Sequence, residues 1–224
     1  MPDRMIRWGG VSGIVFVVLI LITVFSSGSP PAGDDSVAKI REFMVDHRSA
    51  LLIGNTLGLL AVPFVIWFFV VLREVLRGDV TSHALGTAML SGVILTAALA
   101  MAGGGVSVAA VYVDGGVAKL GGDTLRIVFE AQNLLFGATS AGLVLMSITA
   151  ALAIHRTRAL PMYTMWFALL ATLGNLVAMC ATLDAGTANI GFFGLATFSL
   201  FVLVTGITMA AGKASTPAAP VTVA

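Results

Sequence analysis

Charged residues are scarce in this chain. Asp, Glu, Lys and Arg make up 10% of its 224 residues, whereas a soluble domain carries about 25%. So few charges cannot cover a water-facing surface, and the 58% hydrophobic content is far too high for a disordered chain. Lipid must therefore cover much of the folded surface, which predicts an integral membrane protein.

Cysteine and histidine are also rare. Cys180 is the only cysteine, so no disulfide can form within the chain, and its apolar surroundings predict an inert thiol. The three histidines, His47, His83 and His155, lie outside or at the ends of the apolar runs. A zinc site needs three or four ligands, and a buried haem needs an axial ligand in the core. We therefore expect no metal and no other cofactor.

Catalytic and nucleotide-binding motifs are missing as well. The chain has no G-x-S-x-G and no G-x-x-x-x-G-K-[ST]. The glycine run 103–105 lies inside an apolar run without a nearby lysine, which favours close helix packing or local unwinding over phosphate binding. A net charge of +1 gives no reason to expect nucleic acid. The chain is not expected to be an enzyme or to bind nucleic acid.

Long apolar runs dominate the sequence. A membrane-spanning helix needs about 20 mostly apolar residues, and a backbone in lipid must satisfy its own hydrogen bonds. The runs that meet this requirement are 9–25, 50–72, 83–111, 125–154, 161–183 and 190–211. They predict an all-α polytopic membrane protein with six transmembrane helices in one domain, residues 1–212. The first run also resembles a signal peptide, but no clear A-x-A site follows it, which favours an uncleaved helix.

The basic residues predict the orientation of the bundle. If both termini are cytoplasmic, seven basic residues lie on the inner side: Arg4, Arg7, Arg73, Arg77, Arg156, Arg158 and Lys213. The outer side then carries the other five, so the positive-inside rule favours N-in, C-in. We expect a multi-pass protein of the bacterial plasma (inner) membrane. The tail 213–224, rich in Ala, Pro and Thr, is expected to be disordered in the cytoplasm.

The longest loop, residues 26–49, is predicted to lie outside and to contain a short helix. Asp35 or Ser36 can cap this helix. Its apolar residues recur at helical spacing and are Val37, Ile40 and Met44. Such an amphipathic helix can lie on the membrane interface or pack on the bundle, and the pattern allows both.

Four polar residues within the spans are the candidate site. Asn55 lies in the second span, Glu130 and Asn133 near the start of the fourth, and Asn175 in the fifth. The predicted topology places all four in the outer half of the membrane, where an unpaired amide or carboxylate is costly. They therefore predict a polar ligand-binding pocket that opens outward. Alternatively, the amides join helices by hydrogen bonds and Glu130 pairs with Arg126 one turn away.

These features predict a non-enzymatic membrane protein that binds or passes a small or lipid-like molecule through this pocket. The alternative is an accessory or structural subunit of a larger membrane complex, or a homo-oligomer. Small-residue faces at Gly54–Gly58 and Gly137–Ala141 would support such helix contacts. The expected partners are membrane lipids and, for the alternative, another membrane protein or a second copy of the chain.

Two stretches also carry a resemblance. The first runs from Asp46-His47-Arg48 through Trp67-Phe68 to Leu72-Arg73, and the second from Ala159-Leu160-Pro161 to Trp166. Together they resemble a large group of uncharacterised bacterial six-helix membrane proteins, in which "HR" ends the outer loop and "LP" opens the fifth helix. Members often follow that proline with a basic residue and Trp, whereas Met162 and Tyr163 follow it here. The resemblance implies the same topology and adds no site, since no chemistry is assigned to the group.

Overall fold

The structure is a computed structural model that describes residues 2–26, 28, 30–32, 34–112, 116–181 and 188–214. All regular secondary structure in these ranges is helical. The helices are α1 (Asp3–Ser26), α2 (Val37–Asp46), α3 (Arg48–Val75), α4 (Val80–Tyr112), α5 (Gly122–Thr157), α6 (Met162–Ala181) and α7 (Ala188–Ala210). A 3-10 turn, Val117–Lys119, precedes α5.

Six of the helices, all except α2, are long and apolar enough to cross a membrane. The predicted six-helix membrane bundle is therefore confirmed, although most helices extend beyond the predicted spans. With 36 residues, α5 is about 54 Å long and exceeds a hydrocarbon core of about 30 Å. The last predicted residues of the fifth span, 182–183, and the tail from 215 onward lie outside the described residues.

The six long helices form a ring. Each packs against its neighbour in the chain, in the order α1, α3, α4, α5, α6 and α7, and α7 closes the ring against α1. Neighbouring helices run antiparallel, so the start of α1 and the end of α7 share one end of the bundle. This end carries the seven basic residues predicted to be cytoplasmic, and we call it the basic end. The opposite end carries α2 and is called the α2 end.

Glycines set the close contacts between the helices. A Cβ atom on Gly92 would lie 2.6 Å from the carbonyl oxygen of Gly142, and one on Gly206 would lie 2.8 Å from that of Gly10. The small-residue faces predicted from the sequence contribute less to these helix contacts. Gly54 is buried, but no other helix among the described residues comes within 4 Å of a Cβ on Gly58. Ala141 is exposed. The spacing shows where a small face lies, but it does not show which face meets a neighbour.

The half of the bundle toward the basic end contains the main hydrophobic core. Large aromatic side chains from three helices are buried there, with ring centroids 4.9–6.4 Å apart: Phe16, Phe68, Phe69, Phe198 and Phe201. Methionines and small residues from α4, α5 and α6 complete this core. The centre of the ring is therefore filled at this end.

A second, smaller core lies at the α2 end. As predicted, α2 is a helix capped by Ser36, whose hydroxyl accepts a hydrogen bond from the Lys39 amide. Ile40 and Met44 are 0% and 2% exposed because they pack against the ends of α4 and α5. Of the two arrangements that the sequence left open, the structure therefore shows the apolar face of α2 packed on the bundle.

Candidate functional site

A layer of the bundle between the two cores contains no large buried side chain. We call it the middle layer and define it as residues 18–26, 48–60, 94–109, 130–142, 177–180 and 191–194. Every buried residue in these ranges is Gly, Ala or Ser. Along α5, the layer runs from Phe129 in the second core to Leu143 in the first, a rise of about 20 Å.

Few residues of the middle layer are buried on two neighbouring helices, α1 and α3. None of residues 18–26 of α1 is buried, and Gly54 is the only buried residue of 48–60 in α3. Apolar side chains here are at most half-buried, as at Leu19, Ile20 and Leu57. Leu19 and Ile20 pack against the edge of the main core, and the Thr23 hydroxyl donates to the Gly54 carbonyl oxygen at 3.4 Å. The outward parts of the apolar side chains on these two helices are left uncovered by the described residues.

Asn55 and Asn133 both lie in this layer, beside the glycine run of α4. The Oδ1 atom of Asn55 contacts Gly104, where any side chain would collide with it. Leu135 and Phe136, just after Asn133, pack against Gly103. α4 is an unbroken helix through these glycines, so their role is close packing and not local unwinding. Both asparagines are half-buried, and Asn133 lies less than one turn from Leu135 along α5.

Asn175 is placed apart from the other three candidates. It is 1% exposed, and its Nδ2 donates hydrogen bonds to the carbonyl oxygens of Ala171, at 2.8 Å, and Gly194, at 3.2 Å. Three residues earlier, Thr172 donates to the Ser147 hydroxyl, which fixes the register of α5 and α6. Counting along both helices from that contact puts Asn133 about 16 Å from Asn175 along the bundle. The Asn175 amide therefore joins α6 to α7, as the alternative interpretation expected.

Glu130 lies one turn from Asn133, toward the α2 end. Its carboxylate is 3.9 Å from the Arg126 guanidinium, the pairing that the sequence offered as an alternative, and its side chain is 35% exposed. A pair this exposed contributes little to stability. On this geometry Glu130 and Arg126 form a charged rim where the middle layer meets the α2 end.

Gln132 is a further polar residue of the layer that was outside the predicted set. Its Oε1 atom is buried and has no hydrogen-bond partner among the described residues. An unpaired buried acceptor costs free energy, so it marks a place where a ligand donor or a water would be stabilising. The sequence offered no way to separate Gln132 from its neighbours, because three polar residues out of four span most of the helix circumference.

A second polar cluster lies at the basic end, between α4 and α5. Asp79 accepts hydrogen bonds from the Ser82 hydroxyl at 2.7 Å, the Ser82 amide at 2.9 Å and the Arg156 guanidinium at 2.7 Å. These bonds, the Ser82 hydroxyl first, hold the pKa of Asp79 well below its usual range. Asp79 thereby caps α4 and ties it to the end of α5. We assign it a structural role.

The lowered pKa of Asp79 predicts a pH dependence of stability. Because the carboxylate is favoured in the folded state, its stabilising contribution is complete above the unfolded pKa of about 4 and is lost as the pH falls below it. We expect the thermal midpoint to fall as the pH is lowered from about 4 to about 3, and to fall less in Asp79→Asn. Arg156→Gln should remove part of the same effect, so the double variant should be less than additive. Equal pH dependence in all of these proteins would contradict the assignment.

Comparison with known proteins adds no assignment: no family model, curated protein or solved structure matches the chain. The resemblance to bacterial six-helix proteins therefore stays a prediction. Among the residues that the structure describes, no group of three His, Cys, Asp or Glu side chains could hold a metal ion. The candidate site is thus the middle layer, with Asn55, Asn133 and Gln132 as its polar groups and Glu130 at its rim.

Proposed function

We propose that this is a non-enzymatic membrane protein that binds a small, lipid-like molecule in the middle layer. The observation that supports this most directly is the layer of about 20 Å between two packed cores, in which only small residues are buried. These small residues bring α4 close to α5 and α6 close to α7, whereas α1 and α3 bury only Gly54 there. A bound molecule can cover the apolar side chains that α1 and α3 leave half-exposed.

The lining indicates the chemistry of the ligand. Half-buried Leu, Ile and Val side chains suit an apolar body, and the amides of Asn55 and Asn133 suit one hydroxyl, carbonyl or amide group. The filled aromatic core blocks the way toward the basic end. The geometry therefore favours binding from the α2 end or from the membrane over passage through the bundle.

The double variant Asn55→Ala/Asn133→Ala tests this proposal. With a fluorescent fatty acid as the probe, we expect its affinity for the purified protein to fall about 30-fold, since two lost hydrogen bonds contribute about 1 kcal/mol each. The measurement is a fluorescence titration in a non-ionic detergent, normalised to the folded fraction.

Asn175→Ala is the matched control, because it removes the same amide from the α6–α7 contact. It should lower the thermal midpoint and leave the probe affinity of the folded fraction unchanged. Wild-type affinity in the double variant would overturn the proposed site. So would an equal loss of affinity in Asn175→Ala.

The alternative function, a subunit of a complex or a homo-oligomer, is favoured by one surface of α3. A Cβ atom on Gly58 would have no other helix within 4 Å among the described residues, and the adjacent Leu59 and Leu60 are 47% and 52% exposed. A second helix could approach closely there. Native mass spectrometry of the same preparations separates the two functions, because a ligand adds a small mass to a monomer and a subunit interface adds a protein chain.

A further inference from the structure

Arg73 lies across the outer surface of α4 at the basic end. Its side chain leaves the last turn of α3 and passes over Gly86, where a Cβ atom would lie 2.9 Å from the Arg73 Cγ. Gly86 therefore provides the space for the arginine stem. The guanidinium ends beside His83 and Thr87, which are one turn apart on α4 and exposed.

The donors of Arg73 are poorly satisfied. Nη2 lies 3.4 Å from both His83 Nε2 and the Thr87 hydroxyl oxygen, and Nη1 lies 3.8 Å from the Glu74 carboxylate. Nε is buried and has no hydrogen-bond partner among the described residues. Normal hydrogen bonds to nitrogen donors are about 2.7–3.2 Å long, so each contact is weak for a group with five N–H donors.

Glu74 is shared between two arginines, so its single charge only partly offsets that of Arg73. Its carboxylate is closer to Arg77, at 3.4 Å, than to Arg73, at 3.8 Å. The basic end as a whole has seven basic residues against three acidic ones, Asp3, Glu74 and Asp79, and Asp79 is engaged by Ser82 and Arg156. An anion that accepts from Arg73 and His83 together would satisfy donors that the protein leaves underused.

The position of the cluster matches the headgroup region of a membrane. All three tryptophans, Trp8, Trp67 and Trp166, lie toward the basic end and are 44–62% exposed. Tryptophan side chains concentrate at the membrane–water interface. Thr87 lies about 10 Å along α4 from its first residue, Val80, so the cluster faces the boundary between headgroups and hydrocarbon.

We propose that Arg73, His83 and Thr87 form a binding site for a phosphate group, supplied by a membrane phospholipid. Arg73 is the principal contact, because a guanidinium can donate two parallel hydrogen bonds to phosphate oxygens. His83 completes the site from α4, together with the Thr87 hydroxyl, which would exchange its present hydrogen bond to the His83 carbonyl oxygen, at 3.0 Å, for one to the phosphate. It lies on the opposite half of the bundle from the middle layer and does not depend on the function proposed for that layer.

The test compares Arg73→Gln with Arg77→Gln, which removes the same charge one turn away. Full-length protein in a non-ionic detergent is titrated with phosphatidylglycerol and, separately, with diacylglycerol, and binding is measured by native mass spectrometry. We expect wild type to bind phosphatidylglycerol at least about tenfold more tightly than diacylglycerol, with this preference lost in Arg73→Gln and kept in Arg77→Gln. Equal losses in both variants, or no preference in wild type, would overturn the site.

Inorganic phosphate distinguishes the two sources of the group. If it binds wild type but not Arg73→Gln and phosphatidylglycerol shows no preference, the site takes soluble phosphate and the lipid assignment is overturned. If Arg73→Gln does not fold, as judged by its thermal midpoint, the exposed pair His83→Ala/Thr87→Val carries the same test. Retention of the full lipid preference by that double variant would then overturn the site.

Discussion

Alanine at Gly142 should lower the free energy of unfolding by about 2–3 kcal/mol. A Cβ atom there would lie 2.7 Å from the Gly92 carbonyl oxygen and 3.1 Å from the Thr96 amide nitrogen, and it would also collide with the Thr96 hydroxyl. Two of these neighbours are backbone atoms, so α4 and α5 must separate to admit one methyl group. The loss exceeds the gain of about 1 kcal/mol that alanine has over glycine inside a helix.

Gly58→Ala is the control for this prediction. Gly58 is also inside a helix, but among the described residues no atom of another helix lies within 4 Å of its new methyl group, so only the gain in helix propensity remains. Unfolding in mixed micelles, followed by circular dichroism, should therefore show a destabilised Gly142→Ala and an unchanged or slightly stabilised Gly58→Ala. Equal stability of the two variants would mean that the α4–α5 contact is not fixed by glycine.

The spanning helices could be predicted because a lipid environment makes a strong demand on sequence. Twenty apolar residues without a charge have few alternatives to a transmembrane helix. The ends of the helices were harder to predict, since a helix can continue beyond the hydrocarbon wherever its backbone groups keep their hydrogen bonds. For α5 the run 125–154 became Gly122–Thr157, and α4 starts at Val80, capped by Asp79, instead of at His83.

The candidate site could be predicted only in part. The Asn55 amide contacts α4 at Gly104 and Asn133 lies at a similar depth on α5, whereas Asn175 serves the α6–α7 contact. The sequence indicates the depth of each residue along its helix but not the rotation of that helix about its axis or the identity of its neighbour. For the same reason, the middle layer could not be predicted from the sequence. It is defined by the absence of large buried side chains between the helices, and burial depends on how each helix is rotated.

The packing of α2 shows the same limit at the other end of the bundle. Its apolar face was clear from Ile40 and Met44, yet a membrane surface and a protein surface make equal demands on such a face. The deciding residue is Arg41, whose guanidinium donates hydrogen bonds to the carbonyl oxygens of Val117, Ala118 and Leu120. A single arginine gives no periodic signal, so its role appears only in the folded chain.

Alanine at Arg41 should release α2 from the bundle. Hydrogen bonds from a charged donor contribute about 1.5–3 kcal/mol each and are not additive, so we expect the opening of α2 to become about 2–3 kcal/mol easier. Amide hydrogen exchange over residues 37–46 should then accelerate about 30- to 150-fold. The six long helices should keep their wild-type exchange, because the main core is separate.

Lys39→Ala is the matched control on the same helix, since it also removes one positive charge but breaks only the exposed pair with Asp35. It should change the exchange of α2 less than about threefold, as expected for a surface ion pair. If both variants accelerate exchange equally, α2 is held by its positive charge in general and not by the three hydrogen bonds from Arg41 to carbonyl oxygens.

If only Arg41→Ala accelerates exchange, this variant also provides a bundle in which α2 no longer covers the α2 end. Faster association of the fatty-acid probe with that variant would then show that the ligand enters the middle layer from this end.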